Sequence, residues 1–323
     1  MQRSPTSNSN DFPKEATQSG LLKDILVCPY DQATLLRSHQ HHFKCCKCSR
    51  IFPIVSGTIN FLSYEPNFEG LSYVIPWHPI PKLSPPRRLS SKMRTLPLYC
   101  RLLLTSDHFS LLLERKIFKE TRRRSLILDI GCREGTNLLL VGGRKSVCFG
   151  IDVDLHGVSY ANSVSPRNSI AFLASGTRIP FSNGVFSLII CTEVIEHILN
   201  SEDLISEIAR VSSRGAKLIL TTPSGDIVPK PYPLHHRHYK ASELQYMLCR
   251  EFVDINVTPV IRNCRSRKTY WRMRDRYSGK ARHLLLLNFI SNLIYYLSGY
   301  QKPEAVTRSD VTDASLIIEA TRK

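Results

Sequence analysis

Leu126-Ile-Leu-Asp-Ile-Gly-Cys-Arg-Glu-Gly-Thr-Asn-Leu138 is the stretch on which the fold turns. An apolar strand ends in Asp129 and breaks into a glycine loop that opens a helix. A parallel strand that leads into a helix leaves the first helical amides without partners, and glycines there let a ligand approach the backbone. This is where α/β enzymes hold a nucleotide-like cofactor. A dinucleotide fingerprint requires glycine at all three places of G-x-G-x-x-G counted from Gly131, but Arg133 and Thr136 occupy the second and third. NAD is disfavoured. A second apolar run, Val147 to Ile151, ends in Asp152, where a carboxylate accepts both hydroxyls of a ribose. A ribose-bearing cofactor remains.

Working outward, apolar runs and helical periodicity alternate in a doubly wound pattern. Strands are predicted near 126–130, 146–151, 169–173, 186–191, 216–221, 252–258 and 314–320. Helices are predicted near 135–142, 157–164, 201–211 and 241–250, with Ser213-Arg-Gly215 as the turn before the fifth strand.

Four segments in this order, LDIGCREG (128–135), GIDVD (150–154), IPFSNGVFSLIICTEVIEHI (179–198) and RVSSRGAKLILTTP (210–223), carry a resemblance. The chain from Ser125 to Lys323 resembles the class I S-adenosylmethionine-dependent methyltransferases, in the branch that includes the quinone-biosynthesis C- and O-methyltransferases. The resemblance implies a Rossmann-like α/β fold with a seven-stranded, mostly parallel sheet, and S-adenosyl-L-methionine as cofactor. By the same resemblance Asp129, Gly131 and Gly135 frame the methionine end, Asp152 holds the ribose, Ser175 and Gly176 lie beside adenine, and Cys191 to Glu193 border the methyl-transfer site. Two positions depart from the family, which usually has glycine at Arg133 and aspartate at Ser175. Arg133 either pairs with the cofactor's carboxylate or obstructs its pocket, and Ser175 bonds the adenine amine without charge assistance. A catalytically silent scaffold is therefore a competing reading.

Methyl transfer needs little covalent help, because the sulfonium is already activated; alignment, and a base where the acceptor carries a proton, supply the rate. His197, and His235, His236 and His238 in the PLHHRHY segment after the fifth strand, are the candidate bases or acceptor-orienting groups, with Glu193 beside them. Glu193, Glu196 and His197 share one face if a helix starts there, and a later histidine would complete a divalent site. The E-x-x-E-H arrangement looks like the magnesium-binding segment of polyprenyl-quinone O-methyltransferases and small-RNA 2′-O-methyltransferases. The same letters occur in relatives without metal, and a divalent ion at Glu193, Glu196 and His197 is not the expectation.

Leu21 to Leu62 forms a separate module. Cys28-Pro-Tyr-Asp31 followed by Cys45-Cys-Lys-Cys48 reads C-x-x-D then C-x-x-C. It resembles the zinc-ribbon proteins that accompany and activate methyltransferases acting on RNA and protein, including the closing FPIVSGTINFL. Asp31 replaces the usual second cysteine, and zinc accepts an aspartate oxygen; His39, His41 or His42 is an alternative fourth ligand, and a metal-free ribbon with its own small core is the other reading.

The division expected is a disordered tail over 1–20, the ribbon over 21–64, a proline-rich basic linker over 65–95, and a methyltransferase domain over 96–323 that opens with an amphipathic stretch to Lys119 and carries an insertion at 261–313. The chain of 323 residues is 42% apolar and carries a net charge of +17. Between Lys82 and Arg124 twelve basic residues face three acidic ones. In the insertion, nine basic residues from Arg262 to Arg282 interleave with Tyr270, Trp271 and Tyr277, and an apolar segment, 284–300, follows. That segment is too short and polar to span a bilayer, but basic flanks beside an apolar helix fit an anionic membrane surface and an acceptor carried on a lipid. A core helix or a dimer contact is the plainer reading. Basic runs with aromatics also track nucleic acid, so RNA is the second choice of acceptor after a small or lipid-linked metabolite. Of ten cysteines, Cys132, Cys148, Cys191 and Cys249 fall on elements expected to be buried in a reducing compartment. A cytoplasmic protein, peripheral at a membrane, is the expectation.

Overall fold

The computed structural model describes residues 20–38, 41–64, 108–121, 126–142, 146–166, 168–264, 293 and 311–323. The tail up to residue 19, the linker and the bulk of the basic and apolar insertion lie outside the described residues.

The ribbon consists of α1 (Gly20–Ile25) and strands β1 (Leu35–Ser38), β2 (His42–Cys45), β3 (Ile51–Val55) and β4 (Thr58–Ile59), paired antiparallel in chain order. The remaining elements are α2 (His108–Glu120), β5 (Leu126–Ile130), α3 (Thr136–Gly142), β6 (Val147–Asp152), α4 (Leu155–Val164), β7 (Ser169–Leu173), β8 (Phe186–Thr192), a 3-10 turn (Ile195–His197), α5 (Ser201–Val211), β9 (Ser212–Pro223), α6 (Ala241–Leu248), β10 (Phe252–Cys264) and β11 (Val311–Arg322). They build a Rossmann-like, mostly parallel sheet of seven strands in the order β10-β11-β9-β8-β5-β6-β7.

β5, β6 and β7 read as near-continuous apolar runs because both faces of a parallel strand are covered, and their residues are almost all buried. α4 starts two residues earlier than its periodicity predicts, since the Asp154 side chain accepts the His156 amide as N-cap. Ser213-Arg-Gly215 is a correction. These residues belong to β9, with Gly215 at φ +77°, where only glycine sits without strain. The closing pair is longer than expected, Cys264 lying opposite Val311, so the insertion springs from the end of a long hairpin. Cys132, Cys148 and Cys191 are buried as expected, but Cys249 is exposed beyond the end of α6.

Among the described residues the chain gathers into two compact units: 20–64, 126–187 and 206–214 in one, and 108–121, 188–205, 215–264 and 311–323 in the other. In the first, the ribbon and the cofactor-type strands share a core. Thr58 donates its hydroxyl to the Ala171 carbonyl, the Phe61 amide donates to Leu173, and Asn60 bridges Leu173 in parallel, so the ribbon extends the edge strand β7. A chain of rings runs through this seam: Phe52 to Phe61 (centroids 5.1 Å), Phe61 to Phe172 (6.3 Å), Phe172 to Phe181 (5.8 Å) and Phe181 to Phe186 (5.0 Å). All five rings are buried. Arg210 fastens the loop after β7, donating to the carbonyls of Ile179 and Phe181 and to the side chains of Gln32, Asn183 and Glu207. Replacing Phe61 by alanine is expected to cost this unit about 3–5 kcal/mol, the usual range for an emptied aromatic site. Chemical denaturation of the variant measures it.

In the second unit α2 is tied to β11 by the Lys116–Glu319 ion pair, and Tyr239 and Phe252 are its largest fully buried rings. Among the described residues no helix is long and apolar enough to cross a membrane.

Candidate functional site

In the first unit the glycine loop and the end of β6 form one knot. Gly131 and Gly135 have φ of +74° and +75°, and Arg133 adopts +43°, a left-handed conformation that glycine enters freely and arginine does not. That strain is the physical reason a glycine is the easier residue there. The Arg133 amide donates to Asp152 Oδ2 at 2.8 Å, and the Asp154 amide donates to Oδ1 at 2.8 Å. The Arg133 side chain is half-exposed with its Nε 4.0 Å from Glu134. Each Asp152 oxygen retains acceptor capacity beyond its amide. Burial pushes the Asp152 carboxyl above the usual aspartate range, partly offset by those two amides. Asp129 is buried and accepts from the Asn137 side-chain amide at 3.0 Å, which links the end of β5 to α3. Ser175 shares a 2.8 Å hydrogen bond with the Thr177 hydroxyl, and Gly176 is buried beside it. The two buried carboxylates at the ends of β5 and β6, with two left-handed glycines in the loop between, fit an adenosyl cofactor. Asp129 and Gly131 would hold its amino-acid end, and Asp152 its ribose.

The four candidate metal ligands of the ribbon come together as the spacing implies. One ligand atom each from Cys28, Asp31, Cys45 and Cys48 lies within 4.8 Å of the others. The two halves are built alike: the Cys28 amide donates to Ala33 and the Cys45 amide to Arg50, and the residue after each second ligand, Gln32 and Ser49, has φ +59°. Asp31 therefore stands where the first half of the knuckle would place its second cysteine. The amides of Lys47 and Cys48 donate to Cys45 Sγ. Burial pushes the Asp31 carboxyl up, but hydrogen bonds from the Ala33 amide and the Cys48, Cys28 and Cys45 thiols outweigh it and bring it to about 2. His39 is outside the described residues, and His41 and His42 are not in the cluster.

In the second unit the E-x-x-E-H segment is not a helix. Glu193 is left-handed at φ +55°, fixed by its amide donating to the Thr221 carbonyl, and only Ile195–His197 makes a short 3-10 turn. Glu193 and Glu196 consequently serve different partners: Glu193 Oε1 accepts from the Thr221 hydroxyl and Glu196 Oε2 from the Thr222 hydroxyl, both at 3.0 Å. The loop after β9 brings the histidines in. His197 and His235 meet edge to face at 4.6 Å between centroids, and His235 Nδ1 lies 2.9 Å from His238 Nε2. His236 is exposed and contributes its amide, donated to the Glu196 carbonyl. Burial, with the His197 and His238 charges, lowers His235 to about 4, so it is neutral at physiological pH. Cys191 is fully buried within β8. Sequence spacing missed Thr221 and Thr222. Their only signal is the TTP that ends β9, which sets consecutive hydroxyls on opposite sides of the strand.

The chain belongs to the methyltransferase-domain family, whose sequence profile matches residues 107–282, more than half of it. It is similar to norajmaline N-methyltransferase of Rauvolfia serpentina, 28% identical over 100 residues that cover 29% of this chain and 34% of that one. It is also similar to the chloroplastic tocopherol O-methyltransferase of Arabidopsis thaliana, 26% identical over 110 residues, 32% of each chain. The chain thus spans about a third of the length of these curated relatives. Among solved structures, phosphoethanolamine N-methyltransferase 2 of Haemonchus contortus with S-adenosyl-L-methionine aligns at a TM-score of 0.46 and 15% identity, covering 65% of this chain and 52% of that one.

Proposed function

We propose that this protein transfers a methyl group from S-adenosyl-L-methionine to a small-molecule or lipid-linked acceptor. The observation that carries the reading is Asp152, held at the end of β6 beside the glycine loop by the amides of Arg133 and Asp154, a position that suits a ribose acceptor. The sulfonium supplies an electrophilic methyl; the chain's own residues hold the acceptor in line and take its proton. Neutral His235 and its neighbours His197 and His238 suit that second task, with Glu193 orienting. Leu199, two residues after His197, and Leu234, the residue before His235, are exposed and apolar and favour an acceptor with apolar surface. The relatives named for methylating norajmaline and tocopherol support the same class. The N-terminal ribbon is read as a zinc module, with Cys28, Asp31, Cys45 and Cys48 as ligands, which stiffens the unit that holds the cofactor.

Purified protein incubated with methyl-labelled S-adenosylmethionine and a panel of phenolic, amine and polyprenyl-quinol acceptors tests this. Label is expected in organic-extractable product. Label confined to added RNA would transfer the acceptor to nucleic acid. Saturable cofactor binding with no labelled product in either class would favour the silent scaffold.

A further inference from the structure

His235 and His238 touch through their rings, and their neighbours settle which nitrogen of each carries the proton. His238 Nδ1 lies 2.7 Å from the Val228 carbonyl oxygen, which only accepts, so the neutral ring has its proton on Nδ1. Its Nε2 lies 3.4 Å from the Tyr232 amide, which only donates, and 2.9 Å from His235 Nδ1. The His238 lone pair is therefore the acceptor, His235 Nδ1 is the donor, and the His235 lone pair is on Nε2. His235 is neutral at physiological pH, so without such a partner its single ring proton would be shared between two nitrogens.

The loop backbone holds the rings in that order. The His235 amide donates to the Tyr232 carbonyl at 3.0 Å, and the His236 amide to the Glu196 carbonyl at 2.8 Å. Leu234, just before His235, sits at φ +76°, a conformation leucine adopts only under constraint, and its carbonyl lies 3.1 Å from His197 Nδ1. The Tyr232 ring stands edge to face against both His235 and His238, with centroids 5.4 and 4.8 Å away. His238 is buried and His235 only half-buried, so the outer ring of the pair is the one open to an acceptor.

We propose that His238 is a positioning residue, which pins the His235 proton on Nδ1 and so presents the lone pair of His235 Nε2 to the acceptor. The Val228 carbonyl, His238 and His235 form a relay in which an imidazole orients the base, a task a carboxylate performs in a serine-type triad. The inference rests on the methyl-transfer reading with an acceptor that carries a proton, and it narrows that reading: His238, its lone pair engaged, serves through His235. In the step, the acceptor atom bonds to the methyl carbon while the sulfur–methyl bond breaks and leaves its electron pair on sulfur. The acceptor's proton passes to His235 Nε2. The imidazolium so formed keeps its Nδ1 proton on the His238 lone pair, now in a charge-assisted hydrogen bond.

Nitrogen-15 spectra of full-length protein labelled at its eleven histidines read the tautomer of each ring without cofactor or acceptor, and His235→Ala identifies the His235 signals. Wild type is expected to show His235 protonated on Nδ1. In His238→Ala the proton should move toward Nε2, and kcat for any acceptor the wild type methylates should fall by about 100-fold with KM little changed, at the low end of what a general base supplies. His238→Gln, whose side-chain carbonyl accepts as His238 Nε2 does, should restore the Nδ1 proton and most of kcat. Backbone amide spectra that overlay those of wild type certify folding. A wild-type His235 protonated on Nε2, a His235 tautomer unmoved in His238→Ala, or a kcat unmoved while the tautomer shifts would overturn the proposal. The expected tautomers with no methylated product from wild type would count for the positioning role and against the methyl-transfer reading.

Discussion

Replacing Asp152 by alanine is expected to weaken S-adenosylhomocysteine binding by about 100-fold or more. Two hydroxyls on one carboxylate make two charge-assisted hydrogen bonds, each worth about 1.5–3 kcal/mol, and every 1.4 kcal/mol is about tenfold in affinity. The aspartate also terminates the Arg133 and Asp154 amides, so the alanine variant must be shown to be folded, and Asp152→Asn serves as the milder control. Calorimetric titration reads both. Unchanged affinity in a folded alanine variant would remove Asp152 from the cofactor site. The raised carboxyl adds a pH signature. As pH falls through its value the group is protonated and loses the charge that strengthens its bonds, so wild-type affinity declines above the pH at which an ordinary aspartate protonates. Asp152→Asn, with nothing to titrate there, lacks that decline.

Removing the metal proposed for the ribbon is expected to have the second large effect. Cys45→Ala, or chelation of the wild type, is expected to lower the melting temperature by about 5 °C or more. Ligand-site formation in such small modules contributes much of their folding energy, and about 2–4 °C accompany each kcal/mol in a unit of this size. The loss passes beyond the ribbon, because Phe61 leans on Phe172 and Thr58 on Ala171. Differential scanning calorimetry with zinc added back is the check. A chelated protein that melts as the untreated one does would show that the ribbon's own apolar core is sufficient.

Much of the frame is legible in the amino-acid order for a physical reason. β5 and β6 are buried on both faces, so each is an uninterrupted apolar run, and the carboxylates proposed for the cofactor, Asp129 and Asp152, stand where the runs stop. The C-x-x-D and C-x-x-C halves are equally local. What escapes is whatever depends on a neighbour distant in the chain. Glu193 is drawn out of helical geometry by the Thr221 carbonyl, 28 positions later, and no periodicity in TEVIEH records that bond. His235, His236 and His238 are equivalent as letters. Only the fold buries His238, leaves His236 in solvent and sets His235 against His197. The ribbon's seat on β7 is likewise invisible to spacing, since Thr58 and Ala171 are 113 residues apart.

That seat alters how the protein meets other proteins. β7 is the last strand of the large sheet, and an outermost strand presents unspent amides and carbonyls to any extended chain that drifts past. Here Thr58, Asn60 and Phe61 already occupy part of that margin. Besides whatever ion it carries, the small module acts as a selvedge: it finishes the woven edge so that a stray strand cannot be stitched on.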